Sequence, residues 1–582
     1  MICRGGPPSP SRGIALNGRP ALLVKWNNKG TVMIKEQVRE RLTKCYEQGV
    51  AQGLWSTAAN GLYNLEEPKQ AGHGDFATNF AMVVAGKERK KPREVAALLM
   101  ALLAEHGDLF KKIEVAGPGF VNIFVNDAIW HGVLAAVGSL GAAYGLSKVG
   151  CGRKVLVEFV SANPTGPLSV GHSRQAVLGD AIARLLIATG HNVTREYYYN
   201  DAGRQMRVLG ESTRARYLEL LGLPHAFPED GYQGEYIVEI ARDLIRDVGD
   251  SLKDSVSEKP FKERAEKAIM ADINHTLERL GIRFDNYFNE HTLYDNGQID
   301  EVVAILRDKG LVYDQDGAVW FRTTEFGHDK DRVIIKNTGE PTYRLPDIAY
   351  HREKFRRGFD WMVNVFGSDH IATVPDVLAG VSALGYDASK VTAVIHQFVT
   401  LLRDGHQVKM STRRATFVTV DELLDEVGAD VSRFFFLMRR ADSQLEFDVE
   451  LAKKESQENP VYYVQYAFAR LSSIVRLAAS RGVTPDSEGL VHLLTLPEEI
   501  GLLKAMAFYP DLVVEAGLEL EPHRIIYFLQ DLAGQFHSYY NKHRVITEDE
   551  ALTRARLQLA QGLRIVIGNG LRLLGLTTPE EM

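Results

Sequence analysis

Apolar residues follow two alternating periods along the middle of the chain, and these periods predict its elements. Residues 155–160 form an apolar run of the kind that makes a buried strand. After an interruption by proline and glycine, apolar side chains recur at helical spacing, at Leu178, Ile182, Leu185 and Leu186. Strand-like and helix-like segments go on alternating to about residue 450. This alternation is typical of a parallel, doubly wound α/β sheet.

Changes in this pattern predict an α/β multidomain protein. We expect an N-terminal α+β domain over residues 33–145 and an α/β domain over 146–455. Within the second domain, residues from about 205 to 290 are helical and charged, and we interpret them as an insertion on one crossover. Residues 456–582 are helix-periodic almost throughout and predict an α-helical bundle.

The first 32 residues differ from the rest of the chain. They contain five basic residues, no acidic residue and four prolines. A basic, acid-free leader also occurs in organellar transit peptides, but no amphipathic period is visible here. We favour a disordered extension or an upstream start codon, because a clear helical pattern begins at Met33.

Composition and charge exclude several classes of protein. The chain has 582 residues, 45% hydrophobic and 25% charged, and no apolar run reaches the roughly 18 residues of a membrane span. A net charge of -7 argues against non-specific nucleic-acid coating, although a local basic face remains compatible with an RNA partner. The three cysteines, Cys3, Cys45 and Cys151, have no metal-binding spacing and indicate a reducing compartment. We therefore expect a cytoplasmic protein without a membrane partner or a protein-bound metal ion.

The turn after the 155–160 strand carries the first candidate chemistry. Asn163-Pro164 and Gly166-Pro167 cannot continue the strand, and Gly171-His172 begins the following helix. In open α/β sheets, ligands bind beyond the carboxyl ends of the strands, where a helix N-terminus attracts an anion. This arrangement suits a polyphosphate, and the chain has no GxxxxGK[ST] motif. The alternative is a loop that merely caps a strand beside a solvated histidine.

A second candidate lies in residues 401–420. A strand and a turn at Asp404-Gly405 precede Lys409-Met410-Ser411. A flexible loop with a lysine is suited to closing over a triphosphate and stabilising the charge that develops on pyrophosphate. The alternative interpretation is an ordinary surface lysine.

Longer motifs resemble one family. The segments "VEFVSANPTGPL", "PTYRLPDIAYH", "NPVYYVQYAFAR" and "FHSYYNKHRV" are similar to arginyl-tRNA synthetases of the bacterial type, which are class I aminoacyl-tRNA synthetases. The resemblance extends from about Met33 to Met582. It implies a Rossmann-like catalytic domain, with tRNA-binding domains before and after it, that joins L-arginine to its tRNA through an arginyl-adenylate. It also implies ATP as a substrate with Mg²⁺, and a monomer.

The resemblance also implies roles for individual residues. Arginine would be bound by Glu158, Asn163, Tyr343 and Asp347. Carboxylates suit a guanidinium group because they accept two parallel hydrogen bonds from it. Asp347 also has an alternative role as the N-cap of the following helix. His172, Lys409 and Ser411 would be catalytic.

The ATP site implied by the resemblance combines both signature segments with the turn at 365–370. Gly367 would allow close approach of the adenosine, and Asp369 and His370 would contact the ribose; a simple strand-ending turn is the alternative. The full set is Asn163, Pro164, Gly166, Pro167, Gly171, His172, Gly367, Asp369, His370, Lys409, Met410 and Ser411.

Transfer RNA contacts are expected at both ends of the chain. Phe76 would stack on a base of the tRNA elbow and Asn79 would bind its edge. In the C-terminal region we expect contacts from Tyr539, Asn541, Lys542 and Arg544, although one of the two adjacent tyrosines at 539 and 540 should belong to the core. Residues 536–572 have six basic and three acidic residues, which gives this region a local positive charge.

The sequence departs from the family at both signatures. Ser169 replaces the leading histidine of His-x-Gly-His, and Thr412 replaces the second lysine of Lys-Met-Ser-Lys. Nor is there the substitute lysine that some members carry just before the first signature. Loss of one such group typically costs about 3 kcal/mol at a transition state. Arg413 or Arg414 is a candidate for compensation; the alternative is a degraded paralogue that still binds tRNA.

Overall fold

The computed structural model describes residues 34–57, 63–68, 70–105, 107–408, 418–485 and 489–582. Its N-terminal part is an antiparallel sheet of four strands packed against helices, in the order β1–β2–β4–β3. The elements are α1 (Ile34–Ala51), β1 (Leu65–Glu66), β2 (Phe76–Thr78), α2 (Phe80–Glu88), α3 (Pro92–Ala104), β3 (Phe110–Ala116), β4 (Phe120–Val125) and α4 (Asp127–Leu140). The predicted pair of strands around the Gly-Pro-Gly turn is β3 and β4.

The central part contains the predicted parallel sheet. Its first elements are β5 (Lys154–Glu158), α5 (Val170–Ala188), β6 (Asn192–Tyr199), α6 (Gly203–Leu220), α7 (Glu235–Val248), α8 (Lys259–Arg279), β7 (Asn286–Asn289), α9 (His291–Asp295) and α10 (Gln298–Asp308). Helices α6 to α8 lie on the crossover from β6 to β7, in the stretch where we expected a helical insertion. Strand β5 is buried because its apolar residues face helices on both sides of the sheet.

Two small sheets and the rest of the parallel sheet follow. The elements are β8 (Val312–Gln315), β9 (Ala318–Phe321), β10 (Arg332–Ile335), α11 (Arg344–Arg356), β11 (Trp361–Gly367), α12 (Val374–Ala383), β12 (Val391–His396), β13 (Val399–Arg403), β14 (His406–Gln407), α13 (Val420–Leu437), β15 (Leu445–Asp448) and α14 (Val449–Ala452). The parallel sheet has the order β12–β11–β5–β6–β7. Its strand order reverses beside β5, which places the expected ligand crevice at the carboxyl end of that strand.

The C-terminal part is helical, as predicted. It consists of α15 (Pro460–Ser480), α16 (Pro497–Leu518), α17 (His523–Lys542) and α18 (Glu550–Leu573). Helix α16 also packs against α4 and α5, so one continuous apolar core joins all three parts of the chain. Among the described helices, none is both long and apolar enough to cross a bilayer.

Candidate active site

The turn after β5 has an unusual backbone. Val160 and Ser161 both have positive φ, 66° and 44°. Such a conformation costs about 1–3 kcal/mol for a residue other than glycine, and it is most often found where function needs it. The turn places the Ser161 hydroxyl 3.2 Å from Glu158 Oε1, to which it donates, while the Tyr198 N–H donates to the same hydroxyl. The strained turn therefore ties Glu158 to the neighbouring strand β6.

A chain of buried hydrogen bonds connects Glu158 with Asp347. Lys354 Nζ donates to Glu158 Oε2 at 2.5 Å and to Asn364 Oδ1 at 2.8 Å. Asn364 Nδ2 donates to His351 Nε2 at 2.8 Å, and His351 Nδ1 donates to the Asp347 carbonyl at 2.7 Å. All four side chains from Glu158 to His351 are buried. The chain fixes β5, β11 and α11 relative to one another.

A third carboxylate, Glu290, joins the two that the sequence predicted. It follows β7 directly and accepts hydrogen bonds from the Tyr198 hydroxyl at 2.6 Å and from Asn200 Nδ2 at 2.8 Å. Burial raises the pKa of Glu290, and the hydrogen bond from the Tyr198 hydroxyl partly offsets this rise. We did not predict Glu290 from the sequence. Its signal in the sequence was weak, because Glu290 is 132 residues from Glu158 in the chain and β6 separates their two strands in the sheet.

The carboxyl group of Asp347 lies beside both of these acids. Burial raises its pKa to about 8, with repulsion from Glu158 and Glu290 adding to the shift and Lys354 opposing it. Three acidic groups thus share one crevice with a single lysine. At neutral pH the Asp347 carboxyl therefore holds its proton, and a cationic ligand would displace it.

The other two residues predicted to bind arginine are connected to these acids through the chain: Asn163 shares Asn200 with Glu290, and Tyr343 comes four residues before Asp347. Asn163 is held at both ends of its amide: Oδ1 accepts from the Asn200 N–H at 3.1 Å, and Nδ2 donates to Gln205 Oε1 at 2.9 Å. Tyr343 precedes α11 and is 76% exposed, so its ring is available to a ligand.

His172 lies in the first turn of α5 with a defined tautomer. The Ser169 N–H donates to His172 Nδ1 at 3.1 Å, and the Ser169 hydroxyl lies at the same distance. Because Nδ1 accepts, the ring proton must be on Nε2. Burial, together with His396, lowers the pKa of His172 to about 4. At neutral pH this side chain is therefore an uncharged donor.

A side chain of the helical insertion, Tyr236, holds the turn before α5. The Tyr236 hydroxyl donates to the Thr165 carbonyl at 2.7 Å, and a Cβ atom at Gly166 would lie 3.0 Å from that hydroxyl. Pro164 is buried, Pro167 is part-buried and Gly171 is exposed at the start of α5. The predicted ATP residues of this turn thus lie around one helix N-terminus.

The end of β11 lies near His172, since the charge of Asp369 acts on the pKa of that histidine. A Cβ atom at Gly367 would lie 2.5 Å from Asp369 Oδ1. Glycine at this position therefore leaves room for the Asp369 carboxylate to lie against the backbone of residue 367. Asp369 and His370 are exposed, and the His370 ring stacks on Phe366. His396, at the end of β12, was not predicted. Its Nε2 is buried and has no hydrogen-bond partner within the part of the chain that the structure describes.

The second signature, Lys409-Met410-Ser411, lies outside the described residues, as do Thr412, Arg413 and Arg414. The chain after it is anchored beside His172. The Val170 N–H donates to the Val418 carbonyl at 3.2 Å, and the Val420 N–H donates to the Leu168 carbonyl at 2.9 Å. Residues 418–420, which follow the second signature in the chain, therefore lie against the N-terminus of α5.

Three family models match the chain. Residues 33–125 match the arginyl tRNA synthetase N-terminal domain, residues 140–435 match the catalytic domain of class I (R) tRNA synthetases, and residues 464–582 match the DALR anticodon binding domain. An arginine–tRNA ligase from Desulfotalea psychrophila is 62% identical over 552 residues, which cover 94% of this chain and all of the relative. The chain belongs to the arginine–tRNA ligase family.

Other members of the arginine–tRNA ligase family agree with this assignment. The ligase from Citrifermentans bemidjiense is 50% identical, over 94% of this chain and its own full length. The arginyl-tRNA synthetase structure from Thermus thermophilus superimposes with a TM-score of 0.72 at 22% identity, covering 94% of this chain and all of its own. This last similarity shows the shared fold.

Two aromatic residues predicted to contact tRNA are in the core. Phe76 is fully buried and packs edge-on against Phe508 of α16, with ring centroids 5.7 Å apart. Tyr539 is 1% exposed, and its hydroxyl donates to Glu499 Oε1. Neither ring is available to stack on a base, so both predictions are corrected. Asn79 is part-buried, and its Oδ1 accepts from the Asn64 N–H.

A different group of aromatic side chains is accessible on the bundle. We call it the aromatic platform: Tyr462, Tyr466, His537 and Tyr540 with Arg470. Tyr462 and Tyr466 stack with centroids 5.9 Å apart, and Arg470 lies over the rings of Tyr466 and Tyr540. Nearby, Asn541, Lys542 and Arg544 are exposed, although Lys542 also pairs with Glu498. The sequence signal for this platform was the "NPVYYVQYAFAR" motif, to which we had assigned no contact.

Proposed function

We propose that the crevice between Glu158, Glu290 and Asp347 binds the arginine that this chain attaches to tRNA. The observation that carries the proposal is the acidic group itself, supplied by β5, by the end of β7 and by α11. A guanidinium group satisfies several carboxylate oxygens at once, whereas an ammonium group is a single point of charge. Lys354 balances one of the three acids, so the crevice retains enough negative charge for one cationic side chain. Asn163 and Tyr343 would contact the rest of the amino acid.

ATP, the second substrate of class I synthetases, would bind at the N-terminus of α5. The helix dipole and the Nε2 proton of His172 would face its phosphates. The carboxylate of arginine would attack the α-phosphorus, pyrophosphate would leave, and the 3′ end of tRNA would then take the arginyl group from the adenylate. We propose that Mg²⁺ enters as MgATP. Within the described ranges, no group of three or more His, Cys, Asp or Glu side chains is placed to hold a metal ion.

We also propose roles for the residues of the second signature. Lys409 would neutralise the departing pyrophosphate, Ser411 would act with it in catalysis, and Met410 would contact ATP. Arg414 would compensate for Thr412. Support comes from the anchoring of residues 418–420 beside His172. We expect Thr412→Lys to raise the pyrophosphate-exchange rate. If Arg414→Ala leaves that rate unchanged, Arg414 does not compensate for Thr412.

Transfer RNA would contact the aromatic platform, together with Asn541, Lys542 and Arg544. Aromatic faces beside cationic groups hold the unpaired bases of RNA loops.

We further propose that the chain divides into domains at about residues 33, 146 and 456, that it is a monomer and that it is located in the cytoplasm. The high identity to arginine–tRNA ligases gives no support to the alternative of a degraded tRNA-binding paralogue.

The direct test is the charging of tRNA with labelled arginine by the purified chain, with pyrophosphate exchange measured in parallel. We expect charging that depends on arginine and ATP. Citrulline has the length of arginine without its charge, and we expect it not to compete. Absence of charging would overturn the activity, while competition by citrulline would overturn only the acidic crevice as the arginine site.

A further inference from the structure

A cavity of about 310 Å³ lies at the end of α5 opposite to His172. It is lined by the chain after α4, by the last turn of α5 and by helices α16 and α18. With a rise of about 1.5 Å per residue, the last turn of α5 is about 24 Å from His172 along the helix. The cavity is therefore separate from the active site.

Guanidinium groups outnumber carboxylates around this cavity. Arg184, Arg195 and Arg572 line it. Arg184 Nε lies 2.7 Å from Asp180 Oδ2, and Arg195 Nε lies 3.4 Å from Asp180 Oδ1. The same buried carboxylate also pairs with Arg433 at 2.6 Å. Since Asp180 neutralises one of these cations, the cavity keeps a positive charge.

The donors of these arginines are incompletely used. Arg195 Nε pairs with Asp180 only through charge, at 3.4 Å, and makes no hydrogen bond among the residues described. Arg572 is exposed, and its guanidinium donates to the neutral Asn569 Oδ1 at 2.8 Å. An anionic group with several acceptor oxygens would satisfy such donors, and phosphate matches guanidinium in both charge and geometry.

Most of the remaining cavity wall is apolar. Leu146 and Ile187 are 49% and 47% exposed at its edge, a high value for such side chains. The stacked rings of Tyr144 and Tyr509 line it as well. The volume is at the lower end of the range for small-molecule sites, roughly 300–1,000 Å³. A ligand that fits this wall has a phosphate at one end and a flat or apolar body at the other.

We propose that this cavity binds one nucleotide, with its phosphate on Arg195 and Arg572 and its sugar or base against Leu146 and Ile187. The nucleotide is either free, as AMP is when the transfer step releases it, or part of an RNA strand. This proposal does not depend on the acidic crevice as the arginine site.

Arg572→Gln is the principal test variant, because Arg572 is exposed and pairs with no carboxylate of the described residues. Arg195→Gln is the second test variant. Arg307→Gln on α10 is the control, since Arg307 is a half-exposed arginine whose one carboxylate partner among the described residues is Asp314. Binding of radiolabelled AMP is measured by equilibrium dialysis while a non-hydrolysable arginyl-adenylate analogue blocks the active site. Binding of tRNA is measured as a function of salt concentration.

If the nucleotide is free, AMP binds once per chain to the blocked enzyme, and Arg572→Gln weakens that binding at least tenfold. If it belongs to RNA, Arg572→Gln reduces the slope of log K against log salt by about 1, as expected for one lost phosphate contact. Either result supports the proposal, provided that Arg307→Gln behaves as the unchanged enzyme. Unchanged binding of both AMP and tRNA in the two test variants would overturn it, as would equal losses in Arg307→Gln.

Discussion

At the scale of single residues, Glu290 is the most informative side chain of the crevice. Its carboxylate is held in place by Tyr198 and Asn200 and lies beside Asp347. We expect Glu290→Gln to raise the KM for arginine about 10- to 100-fold, because one hydrogen bond between charged groups contributes about 1.5–3 kcal/mol. The KM for ATP should change less than twofold. Steady-state kinetics test this, with the exposed Asp295→Asn as the control, and equal changes in both KM values would contradict it.

Lys354 is a second informative residue, because it is completely buried and pairs with Glu158. Lys354→Met leaves a buried carboxylate without its partner, and we expect a loss of about 3–5 kcal/mol in the free energy of unfolding. The double variant Lys354→Met/Glu158→Gln should recover most of that stability, yet it should not recover the affinity for arginine. Urea denaturation measures the first effect and arginine KM the second. Additive losses of stability in the double variant would show that the pair is not coupled.

The sequence identified some of these residues and missed others for a physical reason. Glu158 and Asp347 occur in long motifs, and their charge alone suits a guanidinium group. Glu290 and Lys354 acquire their positions from the packing of β7 beside β6 and of α11 over β11, which no local pattern reveals. Phe76 and Tyr539 lie in motifs as well, but burial depends on partners such as Phe508 and Glu499 that are distant in the chain.

At the scale of elements, the first turn of α5 shows how His172 is held by Ser169. Its backbone N–H, rather than its side chain, is sufficient to set the tautomer of His172. We therefore expect Ser169→Ala to reduce the pyrophosphate-exchange rate less than tenfold. His172→Asn, which removes the Nε2 donor, should reduce the rate about 10²–10³-fold. A comparable loss in both variants would contradict this division.

The last turn of α17 gives a matched pair of tyrosines. Tyr540 belongs to the aromatic platform, and Tyr539 is in the core. We expect Tyr540→Ala to weaken tRNA binding about 5- to 150-fold, because one stacked base contributes about 1–3 kcal/mol, and to leave stability nearly unchanged. Tyr539→Ala should instead lower the unfolding temperature. Filter binding and thermal melts separate the two, and the opposite assignment of effects would exclude the platform as an RNA contact.

At the scale of the whole molecule, the N-terminal part is attached directly to the helical bundle. Phe76 and Trp130 pack against Phe508, and Asp75 pairs with Lys504. The α/β pattern and the helical C-terminal region were predictable from periodicity, but this contact was not, because it joins segments more than 350 residues apart in the chain. It makes the "GDFATN" motif part of a junction between domains.

The junction predicts a particular result for Phe508→Ala. We expect a loss of about 2–4 kcal/mol in the free energy of unfolding, as for truncation of a largely buried aromatic ring. The KM for arginine should not change, because the crevice is built only from the central part of the chain. Denaturation curves and arginine kinetics measure the two quantities, and a raised KM would mean that the N-terminal part shapes the active site.

The central claim, that arginine enters a crevice whose acids are partly protonated, is tested most directly by calorimetry of arginine binding. Because the pKa of Asp347 is raised to about 8 without ligand, it is largely neutral at pH 7 and must ionise when a guanidinium group binds. Titrations at pH 7 in two buffers of different ionisation enthalpy should reveal the release of close to one proton per arginine, falling towards zero above about pH 9. Asp347→Asn should release none. Tight binding of arginine to the unchanged enzyme without proton release at pH 7 would contradict the account.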